Sequence, residues 1–224
     1  SRHAVEPPSS SRTRRQKLAW SLVALLSIVG IIVLGFYLLR PPHRNQVIRT
    51  TLSAPDSVTL QYGQAIDPVV VSPDGRQVAY VGLTPQRRRM LYVQPLDELA
   101  PHQLSGTEGA LLPFWSPDNE FIGFSAGTKL KKVSTKGGSP ISICDIGTLR
   151  GASWGKDGTI LFAPNTLAPL SVVSEGGTPV VLTRLDSTRG ENSHRWPCFL
   201  PDGKHFFYYA RTVNLGGEAE GDAI

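Results

Sequence analysis

The segment Ser-Pro-Asp-Gly-Arg-Gln-Val-Ala-Tyr, residues 72–80, is followed along the chain by three variants of itself. The variants are Ser-Pro-Asp-Asn-Glu-Phe-Ile-Gly-Phe at 116–124, Gly-Lys-Asp-Gly-Thr-Ile-Leu-Phe at 155–162 and Leu-Pro-Asp-Gly-Lys-His-Phe-Phe-Tyr at 200–208. Their aspartates are 44, 39 and 45 residues apart. Such a period, about 40–50 residues, is typical of the blades of a β-propeller.

Each copy has the composition of a tight turn that leads into a strand. Proline sets φ at the second turn position, aspartate bonds nearby amides, and glycine or asparagine accepts the left-handed conformation that follows. A second element recurs at Leu91–Pro95, Leu130–Ser134 and Leu170–Ser174, with starts 39 and 40 residues apart. The pattern predicts four short strands per unit and no helical period after residue 45.

The repeats predict an all-β fold, an incomplete propeller of about three and a half four-stranded blades. We expect the propeller region to span residues 62–211. Three blades are predicted at 62–105, 106–146 and 147–185, and a fourth stops after its second strand near Arg211. Residues 212–224 are then a truncated tail. A propeller closes with about 4–8 blades, so we expect more sequence beyond Ile224.

A different pattern precedes the repeats. Residues 18–39 form a run of 22 residues without a charge, and about 20 helical residues span a bilayer. We therefore predict a transmembrane helix at 18–39 that makes contact with membrane lipid. A cleaved signal peptide is the rival interpretation, but the sequence through Pro42 offers no small-residue cleavage site.

The charges around this run suggest an orientation. Five Lys/Arg precede the run and three follow it through Arg49. This difference favours a cytoplasmic N-terminus. It therefore predicts a single-pass inner-membrane protein whose propeller is periplasmic or extracellular. Residues 1–17 are expected to be a disordered basic linker and 40–61 a spacer, in which Val47–Leu52 is a candidate strand for closing the propeller.

The net charge of +5 lies in the N-terminal part of the chain. Residues 1–44 hold seven Lys/Arg against Glu6, whereas the remainder has a balance of −1. The basic run Arg87–Arg89 follows a proline and is expected to be a solvated turn. We therefore expect no nucleic-acid partner.

At these residues the chain resembles TolB-type propeller repeats, whose hallmark is a Ser-Pro-Asp-Gly turn after an apolar strand. Phe114–Asp118 is a close match, and Ser153–Gly158 departs from it by lacking the proline. The larger layout, a basic linker, an apolar run and then repeats, resembles the C-terminal half of membrane-spanning bacterial serine/threonine protein kinases. This chain has no kinase motifs, so the resemblance places any kinase domain upstream.

The sequence offers little catalytic chemistry. Gly151–Gly155 fits the Gly-x-Ser-x-Gly nucleophile elbow, but a turn and a strand are predicted after Ser153 where the elbow needs a helix. Cys144 and Cys198 have no metal-ligand spacing, and two semi-buried thiols are favoured over a disulfide. We expect no metal, no cofactor and no enzyme activity in this chain.

The candidate ligand-binding residues are His194, Arg195 and Trp196, because an imidazole, a cation and an indole side by side can line a pocket. The alternative is structural: Trp196 packs between blades and Arg195 pairs with a carboxylate such as Glu191 or Asp186.

Three functions remain open. The first is a sensory or interaction module that binds a protein or peptide and is coupled to an upstream serine/threonine kinase. The second is the propeller of a prolyl-oligopeptidase-type hydrolase, which downstream sequence with a strand, elbow and helix would indicate. The third is a TolB-like envelope scaffold.

Overall fold

The computed structural model describes Trp20, residues 25–31, Gly35 and residues 59–60, 69–174 and 176–212. The chain divides into two units, Ser1–Arg49 and Thr50–Ile224, and each is described by itself. In the first unit the described residues are helical. The predicted closing strand at 47–52 lies outside the described residues.

The predicted transmembrane helix is not supported. Among the described residues no helix is long and apolar enough to cross a membrane. The fold-class prediction is therefore wrong in its helix at 18–39, the rest of which lies outside the described residues.

The first sheet of the second unit is built on the first repeat. Its strands are β1 (Thr59–Leu60), β2 (Val70–Val71), β3 (Gln77–Leu83), β4 (Arg89–Pro95) and β5 (His102–Gln103). All neighbours are antiparallel, and β1 and β2 pair with opposite ends of the same edge of β3. The sheet therefore has four strand positions, the first shared by two short strands.

The next two sheets are regular four-stranded antiparallel meanders. The second consists of β6 (Ala110–Trp115), β7 (Phe121–Ala126), β8 (Lys129–Ser134) and β9 (Ile141–Asp145). The third consists of β10 (Ala152–Trp154), β11 (Ile160–Phe162), β12 (Ser171–Val173) and β13 (Val180–Val181). The predicted turn lies between the first two strands of each sheet.

The fourth sheet has two strands in the described residues. A short 3₁₀ helix, Ser187–Arg189, leads into β14 (Glu191–Phe199), which pairs with β15 (Phe206–Thr212). The pairing is interrupted by irregularities, one of them between Arg195 and Cys198. The all-β, propeller-like fold predicted from the repeats is confirmed.

Neighbouring sheets pack through both faces of their strands. One apolar cluster joins the first and second sheets, another the second and third, and a third cluster the third and fourth. In β11, Ile160 and Phe162 belong to the second cluster and Leu161 to the third. Because successive strand residues point to opposite faces, a strand between two sheets must be apolar at every position.

Candidate functional site

The turn of the first repeat is held by its own side chains. The Ser72 hydroxyl donates to Asp74 Oδ1 at 2.6 Å and accepts from the amide of Gln77 at 2.9 Å, and Asp74 Oδ1 also accepts from the amide of Arg76 at 3.1 Å. Gly75 has a φ of 70°, which a residue without Cβ adopts without strain. The sequence of this turn therefore specifies its geometry locally.

The other three repeats reproduce the turn. In each turn the aspartate Oδ1 accepts a hydrogen bond from the amide two residues later. The distances are 3.0 Å at Asp118, 3.0 Å at Asp157 and 2.9 Å at Asp202. The left-handed position is occupied by Asn119, Gly158 and Gly203, with φ of 65°, 84° and 68°. The four turns are therefore equivalent although only two begin with Ser-Pro.

These hydrogen bonds favour ionised aspartate. The Ser116 hydroxyl, followed by the Glu120 amide, lowers the pKa of Asp118, and the Ser72 hydroxyl does the same for Asp74. The side chain and amide of His205 lower the pKa of Asp202 to about 2. Donors aimed at a carboxylate stabilise its charged form, so each turn carries a negative charge near neutral pH.

A cleft of about 470 Å³ is lined by residues of β2, β6, β10 and β14 and of the turns that follow these strands. Residues from all four repeats line it, at matching positions just before and within the turns. They include Val71, Trp115, Trp154, Phe199, Pro73, Pro117, Lys156 and Pro201. A largely apolar concavity of this size lies in the usual range for binding sites, about 300–1,000 Å³.

Contacts between repeats hold the wall of the cleft. Ser153 Oγ accepts from the amide of Phe199 at 3.1 Å, which joins the third and fourth sheets. The rings of Phe114 and Trp154, 6.0 Å apart, join the second and third. The wall is therefore built before any ligand arrives.

Among the described residues that line the cleft, Lys156 is the one that carries a charge. It occupies the position of the turn proline, and its Nζ donates to the Pro201 carbonyl at 3.1 Å. An ammonium group has three donors, so others remain for an acceptor in a ligand.

The predicted site residues do not come together at this cleft. His194 is fully buried, with Nδ1 2.7 Å from Thr183 Oγ1, Nε2 3.1 Å from Glu191 Oε2, and its ring centroid 4.5 Å from that of Tyr208. The amide of Leu170 donates to the same Thr183 hydroxyl. These partners account for both ring nitrogens, so His194 ties the fourth sheet to the third.

Arg195 is half-buried and Trp196 is exposed. Arg195 donates from Nε to Ser193 Oγ at 2.9 Å and from Nη2 to the Thr166 carbonyl at 3.0 Å, so it forms no ion pair with Glu191 or Asp186. Trp196 is 42% exposed and has a φ of 52° in the bulge of β14. Neither residue lines the cleft.

Ser153, the serine of the elbow-like motif, has a structural role. Ser153 lies in β10, which continues through a turn into the strand β11, as the repeat predicts. Its hydroxyl is engaged with the Phe199 amide. Within the described part of the chain, no group of three or more His, Cys, Asp or Glu side chains could hold a metal ion.

Sequence reasoning predicts that Trp115 and Trp154 pack between neighbouring blades, but it assigned no residue to a cleft. Trp115, Trp154 and Phe199 hold the same place in the repeat, immediately before the turn. That equivalence is visible in the sequence, and it would have indicated a shared wall.

Comparison with known proteins identifies the fold. No family profile and no characterised protein sequence matches the chain. Among solved structures, one assigned as TolB from Agrobacterium tumefaciens matches with a TM-score of 0.52 and 17% identity, over 71% of this chain and 61% of that one. The chain therefore spans less than two thirds of that structure's length.

Two more distant structures are a streptogramin B lyase and an acylaminoacyl peptidase from Pyrococcus horikoshii. The lyase matches with a TM-score of 0.49 and 16% identity, over 77% of this chain and 57% of that one. The peptidase matches with a TM-score of 0.48 and 14% identity, over 70% of this chain and 32% of that one. The likeness to TolB, combined with the repeated sheets, shows that the chain folds as a TolB-like β-propeller.

Proposed function

We propose that this chain is a propeller module that binds a peptide or protein segment in the cleft between the four repeats. The observation that carries the proposal is the cleft itself, a largely apolar concavity lined at matching positions by every repeat. Aromatic side chains provide large rigid contact surfaces, and aromatic grooves are a recurrent way to bind extended peptides.

The lining suggests which peptides fit. Trp154 and Phe199 are half-buried and offer aromatic surface to an apolar side chain. Lys156 at the rim offers an ammonium group to a carboxylate. The proposed ligand therefore combines an apolar side chain with an acidic side chain or a terminal carboxylate.

The proposal extends to signalling. The layout of the sequence resembles that of bacterial serine/threonine kinases, and in this extension the propeller is the ligand-sensing part of such a kinase. Its test is the coding sequence upstream of Ser1. A catalytic-loop aspartate and an Asp-Phe-Gly motif there support the extension, and an upstream sequence without them overturns it.

The binding proposal is tested by selecting 12-residue peptides from a displayed random library on the full 224-residue chain. Selected peptides are then measured against Cys198→Glu, which places a charge of the same sign as the ligand carboxylate at an exposed position of the cleft wall. The control is Leu99→Glu, because Leu99 is 95% exposed and outside the cleft.

We expect Cys198→Glu to weaken binding at least tenfold, which corresponds to about 1.4 kcal/mol, and Leu99→Glu to leave it unchanged. Failure to select any peptide, or equal binding by Cys198→Glu and wild type, would overturn the proposal.

A further inference from the structure

Three arginines gather beside the first half of β14. Arg195 and Ser193 lie on the same face of this strand, and Arg211 of β15 pairs directly with Ser193. Arg150 approaches from the segment before β10, because its carbonyl accepts from the amide of Trp196 at 2.9 Å. The fold therefore brings together cations that are far apart in sequence.

No carboxylate within the described residues balances these charges, since none lies within 4.0 Å of the three guanidinium groups. The nearest acidic residue along β14, Glu191, is engaged by His194 and the Asp186 amide.

Most donors of the cluster are also uncommitted in the described structure. A guanidinium carries five N–H donors. Arg195 uses two groups, Nε and Nη2, while Arg211 donates from Nη1 to Asn192 Oδ1 at 3.2 Å. Arg150 Nε is buried without an acceptor in the described part of the chain. A buried donor without a partner is costly, so this arrangement favours a bound acceptor.

The electrostatics agree with this geometry. Burial lowers the pKa of Arg195, and the positive charges of Arg211 and Arg150 lower it further. Like charges held together destabilise one another, and an anion placed between them reverses the sign of that interaction.

We propose that Arg150, Arg195 and Arg211 form a binding site for an oxyanion, a phosphate, sulfate or carboxylate group. The planar fork of a guanidinium matches two oxygens of such a group, which an ammonium group does not. The site is separate from the cleft, because none of the three arginines lines it. It can therefore be present whether or not the cleft binds a peptide.

Trp196 provides a local reporter. It follows Arg195 directly, its amide donates to the Arg150 carbonyl and its indole is exposed, so we expect an oxyanion at the cluster to change its fluorescence. The titration uses sodium phosphate on the full chain at constant ionic strength, with chloride as the replaced ion. Tryptophan fluorescence and the thermal midpoint are both recorded, and Trp196→Phe is used to assign the fluorescence change.

We expect saturable binding with a rise in the thermal midpoint and a fluorescence change that Trp196→Phe removes. Arg211→Gln should weaken phosphate binding at least tenfold, and Arg195→Lys should weaken it while retaining the charge. The control Arg88→Gln, an exposed arginine in the loop between β3 and β4, should bind as wild type does.

Arg195 also donates to the Thr166 carbonyl, so Arg195→Lys can disturb the fold. Arg211→Gln removes a single hydrogen bond, and it is the variant that tests the site if Arg195→Lys does not fold. The proposal is overturned if phosphate has no saturable effect beyond that of chloride, or if Arg88→Gln loses as much affinity as Arg211→Gln. Parallel titrations with sulfate and glutarate show whether the site prefers a tetrahedral anion or a carboxylate, and each preference supports it.

Discussion

The indole Nε1–H of Trp115, in the second sheet, donates to the carbonyl oxygen of Val70, in the first sheet, at 3.0 Å. The two residues are 45 positions apart, about one repeat. Trp115 is only 7% exposed and belongs to the apolar cluster between these sheets. One side chain thus contributes both a polar and an apolar contact to the junction.

Trp115→Ala should lower the free energy of unfolding by about 3–5 kcal/mol, because it leaves a cavity between two sheets and a carbonyl without its donor. Urea unfolding measures the loss. Trp196→Ala is the matched control, since Trp196 is 42% exposed, and it should cost about 1 kcal/mol or less. Similar losses in the two variants would show that Trp115 does not join the sheets.

Gly123→Ala should also destabilise the second sheet. A Cβ at Gly123 would lie 2.1 Å from Cζ of Phe114, its cross-strand partner, so the ring must move. Overpacking of this kind costs about 1–3 kcal/mol. In a double-mutant cycle with Phe114→Leu, the smaller partner should recover part of the loss. Additive losses would contradict the proposed clash.

Gly151 and Gly158 separate two effects of substituting a glycine. Both have positive φ, 105° and 84°, but a Cβ at Gly151 would lie 2.8 Å from the Trp196 Cα, whereas a Cβ at Gly158 meets nothing within 4 Å. Gly158→Ala should cost about 1 kcal/mol from backbone strain, and Gly151→Ala about 1–3 kcal/mol more because β14 must shift. Thermal unfolding of the two variants tests the difference, and equal midpoints would exclude the steric contribution.

The turn aspartates should make stability depend on acid pH. Their folded-state pKa values lie below the ordinary value of 3.8, and Asp202 reaches about 2. A lowered pKa stabilises the fold above the unfolded pKa, and this contribution is lost as the pH falls through the folded pKa. Denaturant midpoints should therefore decrease between about pH 4 and pH 2.

Asp118→Asn should flatten this pH dependence, since it removes one titrating group while keeping an acceptor for the Glu120 amide. A slope unchanged in Asp118→Asn would mean that this aspartate does not contribute to acid unfolding.

The sequence was sufficient for features whose contacts are local. The serine, aspartate and glycine of the turn at Ser72 bond within six residues, so the motif alone predicts the turn and the strands on either side of it. The apolar run at 18–39 shows where local composition misled us. Its hydropathy favours a membrane helix, but among the described residues no helix is long and apolar enough to cross a membrane.

Only the tertiary structure decided which repeats touch and through which atoms. The sequence marked His194, Arg195 and Trp196 as one cluster, but His194 is buried against Tyr208, Arg195 is half-buried and Trp196 is exposed. One acceptor of Arg195, the Thr166 carbonyl, comes from a loop 29 residues away, and the cleft needs all four repeats. Such contacts depend on how separate sheets pack, because a periodic sequence specifies each strand and leaves open which side chains meet across the gap between two sheets.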